Sequence, residues 1–219
     1  MRRRAAALLA FILLLPHTAF AHTVEGRVRE FGPAVSKRLM PYFLGAGIAY
    51  PPRKLTFVGL KEEKILEVYA AGSKGRMRFL RSYPILAASG GSGPKLRQGD
   101  GQVPEGIYRI DAFNPDSLFH VSMRVNYPNA DDKARAVEDG RTDLGGDIFI
   151  HGGAASIGCL AVGDQAAEDL FVMAALAKLQ NVKVILSPVD FRKREPKVET
   201  EPVWTKELYS KIRKELAAL

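Results

Sequence analysis

The spacing of hydrophobic residues divides the chain into a helical beginning, a long strand-rich region and a helical end. Between 23 and 44, apolar residues recur every three or four positions, although Gly32-Pro33 and Pro41 are expected to break the helix. The last segment, 205–219, is predicted to form an amphipathic helix that packs back on the domain. Its apolar stripe consists of Leu208, Tyr209, Ile212 and Leu216.

The region between these helices has the pattern of short strands. The runs 55–60 and 65–70 are rich in β-branched and aromatic residues and flank a charged turn, which predicts a hairpin. Further strands are predicted at 77–85, 107–113, 120–125 and 182–186, with a turn at 114–117. Strands that follow one another in this way favour an antiparallel sheet curled into a barrel or sandwich. We therefore expect an α+β fold that is mainly β with flanking helices.

Three other segments have a less regular pattern. Six glycines punctuate the segment 88–106 and predict a structured loop with positive-φ turns rather than a phosphate site. The charged segment 131–144 is predicted to be a solvated loop or a short helix. A buried helix is predicted at 164–179, with Asp164 as its cap.

The first residues indicate export. Three arginines, an apolar run over 5–15 and an A-x-A sequence ending at Ala21 have the form of a secretory signal peptide, cleaved after Ala21. The apolar run is too short to cross a bilayer, and no later stretch reaches the roughly 18 apolar residues that a span needs. We therefore expect no transmembrane span and a mature chain in the periplasm.

The net charge of the mature chain bears on its binding partners in the periplasm. Three of the 32 basic residues lie in the predicted signal peptide, so the mature chain has 29 − 24 = +5 charges. Export argues against nucleic acid as a partner. A mild positive charge favours anionic cell-wall polymers or a membrane surface as partners. Solubility alone explains the charge equally well.

The candidate chemistry lies between 147 and 164. A short apolar strand ends on His151, and a glycine- and alanine-rich loop then leads to Cys159, the only cysteine of the chain. A single cysteine cannot form an internal disulfide, and oxidising compartments penalise idle thiols. A loop of this composition can bring the imidazole to the sulfur, which makes Cys159 a candidate nucleophile and His151 its acid/base.

The neighbouring residues suggest supporting roles. Gly158 permits close approach of a substrate, and its amide, together with that of the cysteine, would serve a developing oxyanion. Ser156 is predicted to orient the imidazole or the substrate, and the carbonyl of Gly152 to hold the second ring nitrogen. His120, on the polar face of its strand, and Tyr127, just beyond that strand, are candidate substrate contacts.

Two other interpretations of these residues stay open. In the first, His151 is a strand-end histidine with a structural role and Cys159 is a buried core residue. In the second, His120, His151 and Cys159 bind zinc with a fourth position open, although the spacings match no common zinc pattern. The nucleophile interpretation needs neither metal nor cofactor, and we expect none.

Three motifs together resemble the YkuD-type L,D-transpeptidases. They are K-L-R-Q-G-D-G-Q-V-P-E-G-I-Y-R-I, F-H-V-S-M-R-V-N-Y-P-N and H-G-G-A-A-S-I-G-C, and the similarity runs from about Tyr50 to Pro188. It is closest to the YafK-like branch. The resemblance implies a sandwich or barrel-like catalytic domain at 53–188. An N-terminal helical arm would occupy 22–52, and a charged linker with the C-terminal helix 189–219.

The resemblance also implies a reaction on peptidoglycan. In this family the cysteine attacks the carbonyl at the L-centre of diaminopimelate in a stem peptide, and the histidine accepts and donates the proton. An amine or water then resolves the acyl-enzyme. By motif, Cys159 would be the nucleophile and His151 the acid/base.

The chain also departs from the more familiar members. Ile157 stands where they have a histidine, and Leu160-Ala161-Val162 where they have an arginine. The S-I-G-C form is that of the YafK-like branch, which is similar to enzymes that cut a lipoprotein from peptidoglycan. Three outcomes therefore stay open: a transferase, a hydrolase that releases a wall-linked lipoprotein, and a non-catalytic wall-binding module.

Overall fold

The computed structural model describes residues 21–72, 75–197 and 202–219. Residues 1–20, nearly all of the predicted signal peptide, lie outside the described residues. The helices of the described part are α1 (Val24–Ala46), α2 (Ala130–Glu138), α3 (Asp164–Ala177) and α4 (Thr205–Ala217). Its strands are β1 (Lys54–Leu60), β2 (Ile65–Ala71), β3 (Met77–Pro84), β4 (Gly106–Ser117), β5 (His120–Val125), β6 (Ile148–His151), β7 (Leu160–Ala161) and β8 (Val182–Ser187). None of these helices is long and apolar enough to cross a membrane.

The strands form one curled sheet in the order β3-β2-β1-β8-β4-β5-β6-β7. The pairs β1/β8 and β6/β7 are parallel, and the other neighbours are antiparallel. The α+β fold with a curled sheet is confirmed, whereas the expectation of a purely antiparallel sheet is wrong. β8 follows α3 and enters between β1 and β4, parallel to β1. Parallel strands cannot be joined by a short hairpin, and here most of the chain separates the two.

α1 runs without interruption through Pro33 and Pro41, so the predicted breaks are wrong. A proline inside a helix costs about 3 kcal/mol. The helix offsets this cost because it buries an apolar side chain at every fourth position against the core shared with α3, and each contributes about 1.5–3 kcal/mol. These buried residues are Phe31, Val35, Leu39 and Phe43.

The hairpin between β4 and β5 is longer than predicted. β4 continues through the expected turn at 114–117, and the reversal takes place at Leu118 and Phe119, between the paired residues Ser117 and His120. A register shift within this part of β4 accommodates its turn-forming residues. The exposed tip of the hairpin therefore projects beside the end of β6.

α4 packs back on the domain, as predicted, and it covers the face of the sheet opposite α1 and α3. Its four stripe residues are buried in a second apolar cluster with β1 and β8. The Tyr209 hydroxyl donates to Glu105 Oε2 at 2.9 Å, and Glu105 Oε1 accepts from Lys61 Nζ at 2.9 Å. Lys61 also donates to the carbonyls of Gly93 and Val103, each at 2.9 Å, so this buried network fixes the glycine-rich loop 88–106.

Candidate active site

His151 ends β6 with its imidazole in a defined orientation. Nδ1 lies 2.7 Å from the Gly152 carbonyl, and because a carbonyl only accepts, Nδ1 carries the proton. Nε2 makes no hydrogen bond to any described residue. The Phe119 ring packs against the imidazole at a centroid distance of 4.7 Å. Burial lowers the pKa of His151, so the ring is neutral near pH 7 and presents Nε2 as a base.

Cys159 immediately precedes β7, at the edge of the sheet beside β6. Its half-buried thiol contacts the beginning of β6 and the residue before it: the Phe149 amide donates to Sγ at 3.4 Å, and Sγ lies 3.5 Å from the Asp147 carbonyl. Burial raises the pKa of the Cys159 thiol, and the Phe149 amide opposes this in part. The free protein therefore holds a protonated thiol near pH 7.

The imidazole and the thiol both lie at β6. In the parallel pair β6/β7, Ile150 is opposite Leu160 and His151 is opposite Ala161, so Cys159 lies just before the paired segment. Sγ stands at the hydrogen-bonding edge of β6, because it contacts the backbone amide of Phe149 and the backbone carbonyl of Asp147. His151 follows Phe149 two residues later on the same strand. No hydrogen bond joins Sγ to the imidazole, although both are described. The thiol must therefore turn away from β6 to meet Nε2.

The loop from Gly152 to Gly158 is held by contacts that the sequence did not reveal. The Gly153 amide donates to Asp164 Oδ1 at 2.8 Å. Asp164 was predicted to cap α3, but the helix cap is Gly163, and the carboxylate instead holds the active-site loop. Gly152 itself has no room for a side chain, because a Cβ there would lie 2.5 Å from the same Asp164 oxygen.

The two amides predicted for an oxyanion are already bonded to serine hydroxyls. The Cys159 amide donates to Ser156 Oγ at 3.0 Å, and the Gly158 amide donates to Ser89 Oγ at 2.6 Å. Ser89 in turn donates to the Gly101 carbonyl at 2.6 Å, within the glycine-rich loop. Sequence reasoning missed Ser89, because it lies 69 residues before Gly158 and matches no catalytic spacing.

The two candidate substrate contacts have partners of their own. His120 Nε2 lies 3.1 Å from Glu168 Oε1, and its ring packs against Phe31 at 5.2 Å between centroids. Tyr127 is buried, with its hydroxyl 3.2 Å from the Leu144 carbonyl. Their contacts with a substrate stay predictions. The described residues contain no group of three or more His, Cys, Asp or Glu placed to hold a metal ion, so the zinc interpretation gains no support.

The chain belongs to the YkuD family. Residues 53–189 match the family described as the L,D-transpeptidase catalytic domain, which confirms the resemblance carried by the three motifs. The chain is 33% identical over 171 residues to YafK of Escherichia coli, a protein named among the L,D-transpeptidases. The alignment covers 77% of this chain and 63% of YafK, so the chain spans less than two thirds of the curated relatives it matches.

A solved structure agrees with this assignment at the level of the fold. The chain is similar to the helical cell shape determining protein Pgp2 of Campylobacter jejuni, with a TM-score of 0.50 and 20% identity. The similarity covers 73% of this chain and 57% of Pgp2. At this identity the comparison shows a shared fold, and the chemistry must be argued from the site.

Proposed function

We propose that this chain is an exported, cysteine-dependent acyl transferase that acts on peptidoglycan stem peptides. One observation carries the proposal: a neutral imidazole, with its tautomer set by the Gly152 carbonyl, ends the strand whose Phe149 amide contacts the only thiol of the chain. Membership of the YkuD family supports the substrate class. In this proposal 53–188 is the catalytic domain, with the arm 22–52 and the segment 189–219 packed around it.

The proposed reaction begins with the transfer of the Sγ proton of Cys159 to Nε2 of His151. The sulfur then attacks the carbonyl carbon at the L-centre of diaminopimelate, and the C–N bond to the following residue breaks. The departing amine takes the proton from His151. A second amine, or water, then attacks the thioester, gives up a proton to His151 and releases the sulfur, which recovers its proton.

Two features of the free site must change for this reaction. Burial holds the thiol protonated, so its proton leaves only when Sγ turns toward Nε2. The amides of Gly158 and Cys159 become oxyanion donors only when the carbonyl oxygen of the substrate replaces the hydroxyls of Ser89 and Ser156. Both donors are already oriented, so the exchange replaces one acceptor by another.

The acceptor of the acyl group defines the alternative function. The S-I-G-C form, with Ile157 before Gly158, is the feature that favours hydrolysis and the release of a wall-linked lipoprotein. Transfer to an amine remains our first proposal because the family is defined by transpeptidation. A silent wall-binding module is the third candidate, and the intact pair of His151 and Cys159 argues against it.

One assay separates these outcomes. The mature protein and its Cys159→Ala variant are incubated with purified peptidoglycan, and the muropeptides are then analysed. New diaminopimelate–diaminopimelate links that depend on Cys159 support the transferase, whereas loss of lipoprotein-linked muropeptides supports the hydrolase. Identical muropeptides from both proteins would overturn the enzymatic proposal and leave the binding module.

Export is tested separately. We expect the full chain, expressed in a Gram-negative bacterium, to be recovered from the periplasm with His22 as its first residue. Recovery from the cytoplasm with residues 1–21 still attached would contradict the predicted signal peptide. This measurement does not depend on the outcome of the muropeptide assay.

A further inference from the structure

An open groove of about 920 Å³ lies on the described part of the molecule beside the thiol. It runs between the hairpin β4–β5 and the beginning of α2, and Asp147, whose carbonyl contacts Sγ, forms part of its wall. Of the residues predicted for the site, only Tyr127 lines it. The charged residues that line it are Arg109, Asp111, Arg124, Asp131, Lys133 and Asp147.

The sheet register shows how close the groove is to the nucleophile. Arg124 of β5 is opposite Phe149 of β6, and the Phe149 amide donates to Sγ of Cys159 at 3.4 Å. Neighbouring strands are about 4.8 Å apart, so Sγ lies within roughly 10 Å of the Arg124 Cα.

Two oppositely charged residues of the groove form an exposed pair. Arg124 donates to both oxygens of Asp111, at 2.9 and 3.3 Å, with side chains 45% and 30% exposed. Two further charges beside this pair, those of Arg109 and Asp147, have no ion-pair partner among the described residues. The groove thus presents cationic donors and anionic acceptors side by side, within reach of one small zwitterion.

We propose that the Arg124–Asp111 pair, flanked by Arg109 and Asp147, binds the free amino-acid end of the substrate. This end carries an ammonium and a carboxylate on one carbon. The carboxylate would pair with the Arg124 guanidinium and the ammonium with the carboxylate of Asp111. The inference rests on the proposed function, because it places this group on the acyl donor whose carbonyl the sulfur of Cys159 attacks.

The chemistry of diaminopimelate fits this placement. It is a dicarboxylic acid with two amines, so when its L-centre is held in peptide bonds the other centre keeps a free ammonium and a free carboxylate. Six C–C bonds of about 1.5 Å in a zigzag separate the two carboxyl carbons by roughly 7.5 Å. A carbonyl at Sγ therefore brings the zwitterionic end to the Arg124 side chain.

Binding to an inactive protein tests the site without requiring turnover. In the Cys159→Ala background, we compare a diaminopimelate stem peptide with the same peptide carrying lysine, which keeps the ammonium but lacks the distal carboxylate. A charge-assisted pair predicts a preference of about tenfold or more for the diaminopimelate peptide. Arg124→Gln should abolish this preference and leave the affinity for the lysine peptide nearly unchanged.

Arg213→Gln is the matched control. Arg213 is 44% exposed and pairs with Glu195 at 2.7 Å, so it resembles Arg124 in exposure and charge but lies on α4, outside the groove. The control should keep the full preference. Equal affinity of the parent protein for both peptides, or the same loss of preference in both variants, would overturn the inference.

The rate of acylation shows whether the Arg124 site binds the acyl donor or the acyl acceptor. With Cys159 present, mass spectrometry follows formation of the thioester, and Arg124→Gln should slow it for the diaminopimelate peptide by about the lost preference. If acylation is normal but transfer to an added amine is slow, the zwitterionic end bound by Arg124 belongs to the acyl acceptor. That result would overturn its assignment to the acyl donor. If the parent protein forms no thioester at all, the proposed function is refuted instead. The binding comparison does not require turnover, so it tests the Arg124 site separately from the proposed function.

Discussion

Replacement of Lys61 by methionine tests whether the buried network under the glycine-rich loop stabilises the domain. Lys61 donates to Glu105 Oε1 and to two carbonyls, each at 2.9 Å, and the Glu105 side chain is completely buried. Burial lowers the pKa of Lys61 and raises that of Glu105, and each charge opposes the shift of the other. Lys61→Met would therefore leave a carboxylate buried without its cation.

The expected cost is large for a single substitution. Removal of one partner of a buried ion pair costs about 3–5 kcal/mol. For a domain of this size each kcal/mol lowers Tm by roughly 2–4 °C, so a fall of roughly 6–20 °C is expected. Urea unfolding followed by circular dichroism measures the free energy directly. An unchanged m-value would show that only stability has changed.

Two further variants make the test specific. Glu105→Gln added to Lys61→Met removes the unpaired charge but keeps an acceptor for Tyr209, so the double variant should recover part of the loss. Lys183→Met breaks the exposed pair with Glu215, whose side chains are 46% and 36% exposed, and should cost less than about 1 kcal/mol. A comparably small loss for Lys61→Met, or additive losses in the double variant, would refute the reasoning.

Three other outcomes follow from the active site. Alkylation of Cys159 by iodoacetamide should keep accelerating through neutral into alkaline pH, because burial raises the pKa of the thiol; a rate that levels off in acid would contradict this. His151→Gln should slow muropeptide conversion by about 10²–10⁴-fold without unfolding the protein, and the parent rate should fall only in acid, because burial lowers the pKa of the imidazole. Gly152→Ala should reduce conversion, because its Cβ would lie 2.5 Å from Asp164 Oδ1, whereas Gly32→Ala, with nothing within 4 Å, should raise the free energy of unfolding by roughly 0.5–1 kcal/mol. Equal losses of activity in the two alanine variants would refute the steric argument.

Local patterns predicted most of the secondary structure. The hairpin of β1 and β2, the strands β5 and β8, and the apolar stripe of α4 were all predicted from the pattern of residues near one another in sequence. The errors occurred where tertiary packing outweighed local preference. Pro33 and Pro41 lie inside α1 because the burial of its apolar face offsets their cost, and a turn-like sequence stays in β4 because β5 pairs with it.

The pairing of the parallel strands could not be predicted from the periodicity of apolar residues. β7 has two residues and was missed, yet its pairing with β6 brings Cys159, which directly precedes it, to the strand that ends on His151. Such a pair joins segments separated by a loop, and its formation depends on the surrounding sheet rather than on propensity.

The sequence by itself determined the family, the helical ends, the run of strands and the two residues proposed to react, because motif and periodicity are properties of neighbouring residues. Only the tertiary structure decided which distant groups support them. Ser89 on the Gly158 amide and the groove around Arg124 join residues far apart in the chain, and Asp164 reaches the Gly153 amide from beyond the active-site loop and β7. Such contacts form when the sheet closes, since the free energy of burying its apolar face, rather than any local preference, brings these segments together.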